Sequence, residues 1–405
     1  MTARDGLFLA VLADAVRGRA YGGPLDAADA EPLFRAAEIH SVLPLVAEAV
    51  YRRQEFKGGD AMKDAQSRSV QRVIRQITQE NEFLSLLEDL QQRGYDPLVI
   101  KGMVCRALYP KPYLRPSVDE DLLVPASDFS AYVRLLPELG MFADQPDADP
   151  EEAFELSFHK ENSPLYVEVH KSLFAPDSDA YSDCNRPFDG ALAGAASITI
   201  QDLRVRTLAP TDHLLYLILH AFKHFLHSGF GIRYVCDIAL FAEHYRDELD
   251  MEHVVTECEK LRAGQFAAAI CRIGTKYLGM DPAAVPEAWR EMAVDETLLL
   301  EDILTGGLYG VADENRLHSG NITLNARASG HGGSVWKAIF PSAEYLRWRF
   351  PYAQKSVLLL PIAWAHRILL YLKRSTKGTN VSAAASVRIG QERVRMMKYY
   401  GIIEG

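Results

Sequence analysis

Asp119 and Asp121 are the residues of this chain best placed to do chemistry: they flank Glu120 and run straight into Leu122-Leu123-Val124. In an extended strand side chains alternate between faces, so the two carboxylates share one side while Leu122 and Val124 point to the other, into a core. Two residues along a strand span roughly 6.6–7 Å. Carboxylates at that spacing can hold one divalent ion between them, or bridge two ions about 3.5–4 Å apart. Metal-held phosphoryl or nucleotidyl transfer is the chemistry that needs this arrangement. An Asp-x-Asp alone is weak, since acidic residues are common at strand starts, and its neighbours have to narrow it.

Three neighbours do. On the run Leu165-Tyr-Val-Glu-Val-His170, Tyr166, Glu168 and His170 share a face, which offers Glu168 as a third carboxylate. Hard oxygen ligands favour Mg²⁺ or Mn²⁺. One ion would orient a triphosphate; another would lower the pKa of an attacking hydroxyl, with the third carboxylate as general base. Lys101-Gly102 closes the apolar run Leu98-Val-Ile100, where a glycine lets backbone amides approach phosphates and a following helix N-terminus favours anions. Arg115 and Ser117 are placed to take the β- and γ-phosphates, the arginine through its planar fork. Each has an ordinary alternative: Lys101 as a strand-end lysine, Arg115 paired with a nearby acid, Glu168 as an exposed strand residue.

The elements that must position these residues are legible in outline. Apolar residues recur at helical spacing from Asp26 to about Arg53 and again from Met62 to about Arg93, where Gly94 supplies a C-terminal cap. A short strand at 96–101 and a helix over Met103–Leu108 lead through Tyr109-Pro-Lys-Pro-Tyr113 into the Asp119 strand, and Ser127-Asp128 caps a helix to about Leu139. Residues 155–160 and 164–170 read as a hairpin, and Ser197–Leu208 as further β structure. Helices follow over about 211–227, 231–246, 251–263 and 264–278, and a Gly/Ser-rich linker at Ala328–Ser334. The fold class is α+β. A small mixed-sheet core at 96–208 is embedded between an N-terminal helical region (1–95), a helical domain (209–327) and a basic helical C-terminal region (328–405).

The bulk properties bound the rest. At 405 residues the chain can build two or three cores. No signal-peptide pattern follows Met1, and the window Ser356–Leu372, about 17 residues with Pro361, His366 and Arg367 inside, reads as a buried or amphipathic helix and not as a membrane span. Five cysteines (Cys105, Cys184, Cys236, Cys258, Cys271) with no Cys-x-x-Cys pair point to a reducing, cytoplasmic location and away from a zinc ribbon. The net charge of −10 is uneven: residues 334–405 carry +9, leaving −19 elsewhere. A basic tail on an acidic body either packs on that body or meets an anionic partner, a tRNA-like molecule among them. The acidic body argues against stable binding to duplex nucleic acid.

A second cluster, His213, His220, His224 and His227, precedes Asp237. His220 and His224 share a helix face and could ligate a metal, but no His-Glu-x-x-His arrangement supports a zinc protease. Buried, hydrogen-bonded structural roles are the simpler reading. A functional role would place this face beside the cleft, against base or acceptor.

The run Lys101-Gly102…Tyr109-Pro-Lys-Pro-Tyr-Leu-Arg115-Pro-Ser-Val-Asp119-Glu-Asp121-Leu-Leu-Val resembles the signature of the uncharacterised nucleotidyltransferase family, a bacterial branch of the polymerase-β-like nucleotidyltransferase superfamily. The likeness extends to Val167-Glu168-Val-His170, to Pro210…His220…Arg233…Asp237, and to Phe350-Pro-Tyr…Leu360-Pro-Ile-Ala-Trp…Arg367. It implies a nucleotidyltransferase fold, with NMP transferred from an NTP and pyrophosphate released. Asp119 and Asp121 would be the paired metal ligands, Glu168 the third carboxylate, and Gly102 the counterpart of a glycine-rich phosphate loop. The chain departs from the pattern in having Lys101-Gly102 for the usual Gly-Ser or Gly-Gly, and Ser117 one residue further from the first aspartate. The expectation is a cytoplasmic, Mg²⁺- or Mn²⁺-dependent enzyme that uses an NTP, ATP in the first instance, on a small-molecule, peptide or protein acceptor the sequence does not identify. The alternatives are a catalytically silent nucleotide-sensing or partner-binding protein of the same fold, and a phosphohydrolase built on the histidines.

Overall fold

The computed structural model describes residues 1–310, 314–330, 346–347, 350–366 and 383–404. Residues 331–334 of the expected linker, and 367–372 of the apolar window with Arg367, lie outside the described residues.

Helix α1 (Ala3–Val16) opens on a capping box in which Thr2 and Asp5 each satisfy the other's backbone amide. The helical pattern after Asp26 divides into α2 (Ala30–Ile39) and α3 (Leu43–Val50), because Ser41 takes a left-handed φ of 54° and turns the chain between them. Helix α4 (Asp60–Gln92) runs 33 residues and stops at Gly94, whose φ of 84° suits only the cap position read from the sequence. Its buried stripe of Phe83, Leu84, Leu86, Leu87 and Leu90 is preceded by two buried amides, Gln76 and Gln79. Those two reach the site.

The sheet region begins with β1 (Leu98–Ile100), α5 (Gly102–Arg106) and β2 (Glu120–Leu123). It continues through α6 (Phe129–Glu138), β3 (Met141–Ala143), β4 (Glu155–Lys160) and β5 (Tyr166–His170). The five strands lie in the order β1-β2-β5-β4-β3. The β2–β5 pair is parallel and the rest antiparallel, so the sheet is mixed as expected. Leu122, Val167 and Val169 are fully buried at its centre. Each such side chain contributes about 1.5–3 kcal/mol relative to exposure, which fixes the register that aligns the acidic residues. The β structure read at Ser197–Leu208 is a separate hairpin, β6 (Ala196–Ile200) and β7 (Leu203–Thr207).

Helices α7 (Pro210–His227), α8 (Arg233–His244), α9 (Met251–Lys260) and α10 (Gly264–Tyr277) then cover the sheet region's cleft side and build the C-terminal half. Beyond α11 (Glu287–Glu291) and α12 (Thr297–Gly306), α13 (Glu314–Ser329) packs against the C-terminal helix Ala383–Tyr399. Arg393 of that last helix is buried and pairs with Asp302, as does Arg316. This part of the basic tail therefore packs on the protein's own body. One hydrophobic core runs from Phe8 to Ile403, with a small second cluster around Leu346, Phe350 and Leu360. Among the described residues no helix is long and apolar enough to cross a membrane.

Candidate active site

Strand β2 starts at Glu120, so Asp119 stands at its entrance and not within it. Asp121 lies on β2 between Ile100 of β1 and Glu168 of β5. The alternation that sets Asp121 toward the cleft sends Glu120 to the other face, where it is fully buried. Glu120 is ringed by donors: Arg106 Nη2 at 2.7 Å and Gln79 Nε2 at 3.2 Å on Oε1, and the Met103 amide at 3.0 Å on Oε2. A Cβ on Gly102 would lie 2.4 Å from that Oε2 and 3.4 Å from the Asp119 carbonyl oxygen. The glycine is thus required by the close approach of a carboxylate belonging to the chain itself.

Asp121 is held by two cationic side chains. Its Oδ1 accepts from Lys101 Nζ at 2.9 Å and lies 3.1 Å from His170 Nε2. His170 also lies 3.4 Å from Glu155 Oε2 and 3.6 Å from Glu168 Oε2. Burial opposes the charge on His170, but its hydrogen bond to Asp121 and the nearby carboxylates of Glu155 and Glu168 outweigh burial and raise its pKa to about 10. Burial likewise opposes ionisation of Asp121, yet Lys101 and His170 hold it down at about 2. Asp119 has no such partner: burial and then the charge of Asp121 lift it to about 6, against the pull of Lys101. The second oxygen of Asp121, Oδ2, is buried without a hydrogen-bond partner among the described residues. Asp121, Glu168 and His170 can each bring one ligand atom within 4.8 Å of the others. An acidic group with an unsatisfied buried oxygen and a neighbour reluctant to ionise suits a hard divalent cation.

Lys101 is placed with care. Its backbone has φ 50° and ψ −109°, a conformation costly for any residue with a Cβ, and its amide donates to His213 Nε2 at 3.1 Å. His213 is in turn held by Thr207 Oγ1 at 3.1 Å. The Lys101 amide is therefore occupied and does not face a ligand; the side chain reaches Asp121 and, at 3.3 Å, His220 Nε2. His224 Nε2 lies 3.2 Å from the same nitrogen, and His227 contacts Tyr181. Burial keeps all four histidines below the usual imidazole range, His213 at about 3 and His227 at about 4. These are the neutral, hydrogen-bonded histidines of the simpler reading, and His220 also lines the cleft.

The cleft is partly open, its volume of about 440 Å³ including space continuous with solvent. Lys101, Gly102, Arg115, Ser117, Asp119 and Asp121 all line its wall, although up to 20 positions separate them in sequence. Glu168 is joined to them through the β2–β5 register. Arg115 is buried and forks onto Asp237, Nε to Oδ1 at 3.0 Å and Nη2 to Oδ2 at 2.6 Å, while Tyr109 Oη donates to the same carboxylate at 2.8 Å. Its remaining nitrogen, Nη1, is buried without a partner. Ser117 Oγ accepts from Arg106 Nη1 at 2.5 Å and its amide donates to Gln76 at 2.7 Å.

Several members of the site were not evident in the sequence. His170 shares the face of Glu168, which was a usable signal. Gln76, Gln79 and Glu80 on α4 carry none, since nothing local tells a buried amide on a long amphipathic helix from a solvated one. Tyr234, Arg233 and Tyr309 also line the cleft, Tyr309 through a left-handed turn at φ 55°.

A sequence model of the family described as "Uncharacterised nucleotidyltransferase" matches residues 26–279, well over half the chain and all of the site except Tyr309. A solved structure, an antigenic nucleotidyltransferase-like protein from Paracoccidioides brasiliensis, is similar at 11% identity and a TM-score of 0.32, over 52% of this chain and 95% of that one. No curated protein matches the sequence.

Proposed function

The chain belongs to the uncharacterised nucleotidyltransferase family, and from that premise we propose that it transfers NMP from an NTP, with Mg²⁺ or Mn²⁺, to an acceptor hydroxyl or comparable nucleophile. The observation that carries this reading is the buried, unpartnered Oδ2 of Asp121, beside Glu168 in the β2–β5 register and with Asp119 at the strand's entrance in the same cleft wall. These three carboxylates would hold the cation, which when bound neutralises phosphate charge and acidifies the attacking group. Arg115 is proposed to bind phosphate oxygens through its free Nη1, with Asp237 and Tyr109 fixing the guanidinium plane. Ser117 and Gly102 line the same stretch of the cleft and are proposed as nucleotide contacts. The acceptor oxygen attacks the α-phosphorus, its proton passes to Glu168, and pyrophosphate departs; Glu168 is only half-buried and keeps access to solvent. His170 positions Asp121 by hydrogen bond. The acceptor is proposed only as a class: a small molecule, peptide or protein, encountered by a soluble protein of the cytoplasm.

Incubation with α-labelled and γ-labelled NTPs in cell extract tests this. Label should pass from the α position to an acceptor, with pyrophosphate released, and Asp119→Asn or Asp121→Asn should abolish it. Transfer of the γ label instead, or orthophosphate release that depends on His220, would refute nucleotidyl transfer. The second reading, a catalytically silent nucleotide sensor, draws on Lys101 and His170, which satisfy one oxygen of Asp121 without any metal. It predicts nucleotide binding that ignores divalent ions.

A further inference from the structure

Lys101 is the nearer of two cationic side chains in the acidic group, the other being His170, 3.1 Å from the same oxygen of Asp121. Its ammonium lies 2.9 Å from Asp121 Oδ1, closer than any other positive group there, with only 16% of the side chain exposed. Nothing about this placement is loose. The residue tolerates φ 50° and ψ −109°, its amide is fixed by His213 Nε2 at 3.1 Å, and His220 Nε2 accepts from Nζ at 3.3 Å. Because His213 and His220 are neutral acceptors on α7, they steer the ammonium toward Asp121 without competing with its charge. A surface lysine pays no such strain, and backbone strain of this kind persists only where surrounding structure enforces it. On the other side of the same carboxylate, Oδ2 is buried and unpartnered. Lys101, with His170 beside it, therefore closes one oxygen of Asp121 to an ion, and the other is open.

A pair of carboxylates that bridges two metal ions needs both oxygens of the shared aspartate. We propose that Lys101 permanently occupies one of the two cation positions, so that this protein binds a single divalent ion, and its side chain does the electrostatic work of the missing one. This rests on the metal-dependent reading given above and narrows it. An ammonium carries one positive charge against two for the metal, donates hydrogen bonds and cannot act as a Lewis acid. Lys101 would therefore neutralise charge at Asp121, while activation of the acceptor falls to the single ion and Glu168.

The test counts Mn²⁺ bound per full-length chain, by the electron paramagnetic resonance signal of free Mn²⁺ and by calorimetry, alone and with a non-hydrolysable α,β-methylene NTP. Wild type should bind one ion in both conditions. Lys101→Met, which keeps the length of the stem and removes the charge, should bind two, the second at least tenfold more tightly than any second ion on wild type. Lys101→Gln, polar but uncharged, should also bind two and covers the case in which the methionine variant folds poorly, while Lys101→Arg keeps the charge and should stay at one. Two ions on wild type, or one on both wild type and a folded Lys101→Met or Lys101→Gln, would overturn the proposal while leaving the metal-dependent reading intact. No ion on wild type would instead overturn that reading, and the proposal with it.

Discussion

Gly102→Ala is the smallest change that tests how the site is built. The new Cβ would lie 2.4 Å from Glu120 Oε2, about 1 Å inside ordinary contact. A carboxylate at the end of a free side chain would simply swing away. Glu120 cannot: it is fully buried, with Arg106 and Gln79 on one oxygen and the Met103 amide on the other. Retreat breaks the bond to Met103, a hydrogen bond to a charged group worth about 1.5–3 kcal/mol. Residual overpacking adds about 1–2 kcal/mol. The expected loss is about 3–4 kcal/mol, a large share of the 5–15 kcal/mol typical of folded domains. Urea unfolding followed by circular dichroism measures it. The decisive comparison is a double-mutant cycle with Glu120→Asp, which shortens the side chain by one methylene and opens the space that the methyl needs. Glu120→Asp alone should destabilise, and the double variant should be at least about 1 kcal/mol more stable than the two single costs predict. If the costs add, or if Gly102→Ala costs less than about 1 kcal/mol, the packing of Glu120 against Gly102 is not what demands a glycine.

Asp237→Asn leaves the Arg115 guanidinium buried without its counter-charge, and should cost about 3–5 kcal/mol in chemical denaturation. Arg115→Lys keeps the charge but loses the fork; it should weaken NTP binding in calorimetry about tenfold while leaving Mn²⁺ binding unchanged. Stability should fall as the pH drops from about 6.5 toward 4. His40, buried with Nδ1 accepting the Ile232 amide, is held at about 4 and must stay neutral in the fold while it protonates freely when unfolded. Replacing it with Asn, whose oxygen mimics Nδ1, should remove about 3 kcal/mol of that pH dependence in urea titrations; an unchanged slope would refute the assignment. Because Asp119 must ionise to hold a metal and is lifted to about 6, Mn²⁺ affinity should rise with pH up to about that value, and Asp119→Asn should flatten the rise.

Much of this was legible before any coordinates. The period-two alternation around Asp121 and around Glu168 set which strand side chains share a face, because both strands bury Leu or Val on the opposite side and a slipped register would expose them, whereas Asp119 stands outside the strand. Gly94 as a helix cap and the extent of α7 followed from chemistry local to the chain. What was not legible depends on distant partners. Sequence left Arg115 between a phosphate ligand and an arginine paired with an acid, and could not name that acid: Asp237, 122 residues away, claims two of its nitrogens. Lys101 reads as part of a phosphate loop, and only the fold shows its amide on His213 and its ammonium on Asp121. Ser41 broke a helix that periodicity alone would continue, since an apolar pattern does not register a single left-handed residue.

The central claim is that the acidic group holds a metal that in turn holds a nucleotide. Calorimetric titration of an NTP into the full-length protein, with and without Mg²⁺, tests it directly in wild type and in Asp121→Asn. The account predicts that Mg²⁺ strengthens NTP binding at least tenfold in wild type and not at all in the variant. Equal affinity in all four titrations would contradict it.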